Sequence, residues 1–117
     1  KFFIADKSAS IEVKEKLVKY RKLDKSIIDK LKKHYDYRDQ ITGEKIGDKY
    51  GDSVVEAHHI DFFTQSQNND TTNIIILSPN YHRIIHRNNP IFNRRKFEFE
   101  FSNGEVLRLK LYDHLLV

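Results

Sequence analysis

The sequence predicts a small α+β domain, on three observations. Residues 9–35 carry helical periodicity, residues 73–77 are a block of Ile and Leu behind one Asn, and residues 96–111 alternate apolar with polar around an Asn-Gly pair. The 117 residues suffice for one domain with a single modest core. A hydrophobic share of 38% with 12% aromatics supplies enough apolar side chain for the chain to fold.

The elements follow in chain order. Ile11, Leu17 and Val18 form one apolar stripe, and Leu23, Ile27, Ile28, Leu31 and Tyr35 form another at i, i+4, i+8 spacing. Asp24 is placed to cap the second stripe, so residues 1–35 are expected to be a helical extension of two helices or one broken helix, with lysines facing solvent. Residues 36–52 read as turns, punctuated by Thr42-Gly43, Gly47-Asp48 and Gly51-Asp52. Residues 53–58 alternate enough for a short strand, residues 61–72 form a polar loop, and residues 73–77 suit a buried strand. Ser78-Pro79 is a helix start, with Ser as the N-cap and Pro in the first turn. That helix should carry Tyr81, His82, Ile85 and His86 and stop before Pro90. Phe97, Phe99 and Phe101 then alternate with polar residues, Asn103-Gly104 turns, and residues 106–111 alternate again, which predicts a C-terminal β-hairpin over 96–111.

Composition narrows the chemistry. Cysteine is absent, which excludes disulfides and cysteine-ligated zinc and fits a cytoplasmic setting. No apolar run reaches the length of a transmembrane helix, and the first residues lack signal-peptide architecture, so no membrane partner is expected. Methionine is also absent, initiator included, and the expectation is a module of a larger protein. The net charge of +4 favours an anionic partner. Its distribution says more: residues 71–97 hold no acid, yet they include Arg83, Arg87, Arg94, Arg95 and Lys96, which are therefore expected to meet nucleic-acid phosphates.

Four of the six histidines fall within residues 58–86. Imidazole is the commonest metal ligand and titrates near neutral pH, so a cluster of it can hold a metal and move a proton. His82 and His86, four apart, share one helix face. His58 and His59 are adjacent, and neighbours on a regular strand point to opposite faces; both reach one site only if the strand ends or bulges there. Glu56 falls on the His58 face, as a support for a ligand histidine or as a surface carboxylate. His34 and His114 are assigned no role.

The stretches Glu56-Ala57-His58-His59-Ile60, Asp70-Thr71-Thr72-Asn73 and Leu77-Ser78-Pro79-Asn80-Tyr81-His82-Arg83-Ile84-Ile85-His86, with histidine and asparagine steps of 14, 9 and 4, resemble the HNH family of nucleases. That resemblance covers residues 38–88 and implies a ββα-metal core, with the helices and the hairpin as flanks. It implies His58 and His82 as metal ligands, with His86 binding metal or phosphate. His59 would be the general base that activates water, and Asn73 the residue that pins the loop. Where many members carry Cys-x-x-Cys pairs for a structural zinc, this chain has Arg38 with Ile41 and Ser78 with Tyr81, so no structural zinc is expected. The implied activity is DNA hydrolysis with one divalent ion (Mn, Ni, Co, Zn or Mg), leaving a 5′ phosphate and a 3′ hydroxyl. Imidazole at position 58, where many members have Asp, should turn preference away from Mg²⁺. The nearest likeness is to bacterial restriction or defence modules, which implies a bacterial-type cytoplasm, double-stranded DNA as partner, and a second copy for cutting both strands. Two rivals remain at this point: an HNH fold that grips DNA without cutting, and a structural metal domain in which a fourth ligand closes the shell of His58, His82 and His86.

Overall fold

The computed structural model describes residues 25–61 and 70–116. At its centre, β1 (Glu56–His59) and β2 (Ile74–Leu77) pair antiparallel, with Glu56 opposite Leu77, Ala57 opposite Ile76, His58 opposite Ile75 and His59 opposite Ile74. Side chains alternate across a sheet. Ile75 and Leu77 accordingly enter one core with Ile41, Ile85, Phe99 and Leu109, while Ile74 and Ile76 enter another with Leu31, Tyr35 and Val55. β2 is buried on both faces, which is why it reads as an unbroken apolar run.

Helix α1 covers the second of these cores; over its described part, residues 25–34, it turns Ile27, Ile28 and Leu31 inward. The remainder of the helical extension predicted over 1–35, Asp24 included, lies outside the described residues, as does most of the polar loop, residues 62–69. Helix α2 (Pro79–Asn88) covers the first core through Ile85 and Tyr81. Ser78 stands at its N-cap and Pro79 in its first turn, as the sequence predicts, but the Ser78 side chain makes no capping bond. Asn89, left-handed at φ 46°, closes the helix by donating its N–H to the Ile85 carbonyl.

The predicted hairpin is present as β4 (Glu98–Glu100) and β5 (Val106–Arg108), turned at Gly104, whose φ of +92° suits glycine. The structure adds a strand that the sequence did not announce. β3 (Ile91–Asn93) pairs with β4, giving a three-stranded sheet ordered β3-β4-β5. Two boundaries also move. β1 starts at Glu56 and includes His59, because the Val54 N–H bonds the Ile46 carbonyl and not a strand. Phe97 belongs to the β3–β4 turn, with φ 54°. Among the described residues the architecture is thus α+β: two α-helices and two small antiparallel sheets. No helix among the described residues is long and apolar enough to cross a membrane.

Two buried polar residues join the pieces. Asp39 accepts backbone N–H bonds from Ile41 (2.6 Å) and Thr42 (3.2 Å) on one carboxylate oxygen and from Ser78 (2.7 Å) on the other. The turn after α1 is thereby fastened to the start of α2. Gln40 lies along β2: its N–H donates to the Ile76 carbonyl (3.0 Å), its Oε1 accepts from the Ile76 N–H (2.6 Å), and its carbonyl accepts from Lys110 and Leu111. Gln40 thereby ties the C-terminal segment to the central ladder.

Candidate metal centre

His58 leaves β1 toward α2, and α2 returns His82 and His86 from one face. One ring nitrogen from each lies within 4.8 Å of the other two. His82 Nε2 and His86 Nε2 are 2.9 Å apart, and the His58 ring centroid lies 5.6 Å from that of His82 and 5.3 Å from that of His86. Phe99 meets His58 edge-on at 5.7 Å and forms the apolar floor. His58 is only 8% exposed, whereas His86 is open, so the group faces solvent on the His86 side.

The protons can be placed from the partners. Glu56 Oε1 lies 2.8 Å from His82 Nδ1, and an ionised carboxylate only accepts, so His82 carries its proton on Nδ1. Its Nε2 lone pair then faces the cluster and accepts from His86 Nε2. His58 Nδ1 is buried with no hydrogen-bond partner. Burial first, then the charges that His82, His86 and His59 would carry, push the His58 pKa down to about 3. His58 is therefore neutral near pH 7, with a buried ring nitrogen that nothing among the described residues satisfies.

These features fit a transition-metal ion. A buried unsatisfied nitrogen costs stability unless a ligand meets it, and neutral imidazoles are the donors such ions take, at bonds of about 2.0–2.1 Å. Glu56, 2.8 Å from His82 Nδ1, stands where metal-bound histidines ordinarily have a supporting carboxylate. Tautomer exchange in His86, moving its proton to Nδ1, would free the third nitrogen.

The other predicted residues fall as follows. His59 is the last residue of β1, in regular register with Ile74, so it leaves the strand on the Ala57 side, and the structure does not bring it into the three-histidine group. Asn73 clamps the bend that follows. Its Oδ1 accepts from the Asp61 N–H (2.8 Å), its Nδ2 donates to the Asp61 carbonyl (3.1 Å), and its own carbonyl accepts from Ile60 N–H (2.8 Å). Arg94 reaches the same bend, donating to the Thr72 carbonyl (3.1 Å) with its guanidinium 3.8 Å from the Asp61 carboxylate. Arg83 and Arg87 are exposed on α2, about 100° around the helix from His82 and His86. Arg95 and Lys96 are exposed in the β3–β4 turn, which Asn93 shapes by accepting from both of their backbone N–H groups. The sequence reading passed over Phe99 as the floor beneath His58; its place in the Phe97/Phe99/Phe101 alternation was the available signal. Comparison with protein-family models, with curated proteins and with solved structures finds no match to this chain.

Proposed function

We propose that this domain is an HNH-type endonuclease with a ββα-metal core, which hydrolyses DNA phosphodiester bonds using one divalent ion held by His58, His82 and His86. The observation that carries the reading is the convergence of one ring nitrogen from each of His58, His82 and His86, on a His58 ring whose buried Nδ1 has no hydrogen-bond partner among the described residues. The order β1, β2, α2 and the Asn73 clamp at the end of β1 support it.

A divalent ion bound there supplies Lewis-acid charge to a phosphate oxygen. Everything else falls to the chain. His58 stays neutral because it is buried, and Glu56 fixes the tautomer that aims His82 Nε2 inward. Asn73 holds the Ile60–Asp61 bend next to His59; to take a proton from the attacking water, the His59 ring must swing from the Ala57 side of the strand end to the metal side when substrate binds. The new bond forms from that water's oxygen to phosphorus as the bond to the 3′ oxygen breaks and that oxygen takes a proton from solvent, leaving a 5′ phosphate and a 3′ hydroxyl. Arg83, Arg87, Arg94, Arg95 and Lys96 hold backbone phosphates around the site. An all-imidazole donor set favours Mn²⁺, Co²⁺, Ni²⁺ or Zn²⁺ over Mg²⁺. A restriction or defence role on double-stranded DNA, with a second copy serving the opposite strand, completes the reading.

The test is supercoiled-plasmid cleavage by wild type, His59→Ala and His82→Ala across these metals and with chelator. Wild type should nick only with metal. His59→Ala should lose roughly 10²- to 10⁴-fold in rate, the usual contribution of a general base, while binding metal normally by calorimetry. His82→Ala should lose the metal itself. Cleavage that survives chelation, or a fully active His59→Ala, would overturn the mechanism; salt-sensitive DNA binding without cutting under any condition would point to a binding module.

A further inference from the structure

The β3–β4 turn holds a feature the nuclease reading does not use. Phe97 sits at φ 54°, in the left-handed region where a bulky side chain is strained and glycine is ordinary. Such strain persists only where something else in the structure requires the residue. The Phe97 ring lies against the first core on one side and stacks on Tyr112 on the other, with centroids 4.5 Å apart and planes 14° from parallel. Tyr112 is the outer ring of the pair and is 36% exposed.

Charge and position add to this. Arg95 and Lys96 immediately precede Phe97 and are exposed, and Arg95 has no ion-pair partner among the described residues. Arg94, in the same turn, is bonded to the Thr72 carbonyl. The short turn Asp113–Leu115, which Tyr112 caps, packs on the turn Thr71–Asn73. The segments that carry the two rings are thus both tied to the Thr71–Asn73 turn. An outward aromatic face beside unpaired cations is what single-stranded nucleic acid recognises: bases stack on the ring and phosphates meet the cations, whatever the sequence.

We propose that the Phe97–Tyr112 pair, with Arg95 and Lys96, is a stacking subsite for an unpaired nucleotide. The proposal rests on the nuclease reading of the three histidines for its consequence, which is a preference for DNA carrying a single-stranded or extrahelical base over fully paired duplex.

The test is binding of the whole chain, in chelator, to three labelled probes of shared sequence: a single strand, a blunt duplex and a duplex with a short bulge. Tyr112→Leu keeps an apolar cover over Phe97 but removes the π face. It should weaken binding of the single strand and the bulged duplex roughly tenfold and leave the blunt duplex unchanged. Tyr112→Trp should retain binding, and because the chain has no other tryptophan, its fluorescence should be quenched by the single strand and not by the blunt duplex. A Tyr112→Leu protein that binds all three probes like wild type, or loses all three equally, overturns the subsite, as does an unquenched Tyr112→Trp. Binding in chelator is independent of cleavage. Tyr112-dependent binding without any metal-dependent nicking would sink the nuclease reading alone, and nicking without strand discrimination would sink the subsite alone.

Discussion

On the α1 side of the β1–β2 ladder, His114 has both ring nitrogens engaged. Its Nε2 donates to the Ile74 carbonyl at 2.8 Å, so its Nδ1 must accept, and it does so from the Tyr35 hydroxyl. The His114 N–H in turn donates to that hydroxyl (3.2 Å), while neighbouring His34 pairs with Asp113 at 2.6 Å. On the α2 side, His58 is more deeply buried and has an empty Nδ1. Both histidines are held neutral by burial, since burial lowers both pKa values. The difference is saturation. A closed network fastens the C-terminal turn to β2, while the other face keeps a buried nitrogen without a partner among the described residues.

That contrast can be broken most severely with acid, in metal-free protein. His58 is neutral in the folded state down to about pH 3 but takes a proton near pH 6.5 once unfolded. Between those values the unfolded state binds more protons, so stability falls as pH falls, by about 1.4 kcal/mol per unit and on the order of 5 kcal/mol across the window. His114 acts in the same direction. His58→Leu removes the first contribution and leaves the second. Urea unfolding at pH 7 and pH 4 should therefore show a much smaller acid loss in His58→Leu than in wild type. Equal losses in the two proteins would mean that His58 is not the buried neutral base described above.

The saturated side is tested through Asp39. Alanine there strands the buried backbone donors of Ile41 and Ser78 and the half-buried one of Thr42, and should cost about 2–3 kcal/mol. At about 4–8 °C per kcal/mol for a domain of this size, the melting temperature should drop by about 10–20 °C. Because Asp39 is not among the converging ligand residues, the gain in melting temperature on adding Zn²⁺ or Ni²⁺ should persist in the variant. A normal melting temperature, or a vanished metal response, would place Asp39 differently.

Legibility in the sequence followed the same divide between local and long-range interactions. Ser78-Pro79, the 74–77 apolar run and the i, i+4 pair His82/His86 are set by neighbours in the chain, and each stands where the pattern puts it. The proximity of His58 to that pair was not a matter of spacing; it required β1 and α2 to lie side by side. Asp39 and Gln40 looked like solvated turn residues because their partners, Ser78, Ile76 and Leu111, are 35 or more positions away. β3 is three residues after a proline, too short to alternate, and exists only because β4 pairs with it. Glu98 reads as an outward residue between two phenylalanines, yet it is buried beneath Arg108, whose Nη2 donates to it at 2.9 Å; Phe97 does not belong to the strand at all. Alternation assumes a regular strand, and one left-handed residue is enough to end it.

The finest distinction between the two faces lies in Glu56. Its carboxylate is half exposed, so its pairing with His82 (2.8 Å) adds little to folding. Its effect should appear in ligation, where it holds the His82 proton on Nδ1 and leaves Nε2 to bind. Glu56→Ala frees the ring to rotate and to change tautomer, and affinity for Zn²⁺ or Ni²⁺ should fall roughly 10- to 100-fold, the common penalty for losing such a support. Glu56→Gln retains an oxygen that accepts from Nδ1–H but loses the charge, so its affinity should lie between wild type and Glu56→Ala. Calorimetric titration gives the affinities, and chelator-stripped urea unfolding gives the stabilities, which should coincide across the three proteins. An unchanged affinity in Glu56→Ala would leave the carboxylate as a surface partner of His82 and nothing more. A stability loss as large as that of Asp39→Ala would move Glu56 into the structural class, and the division between a closed face and an open one would then have to be drawn elsewhere.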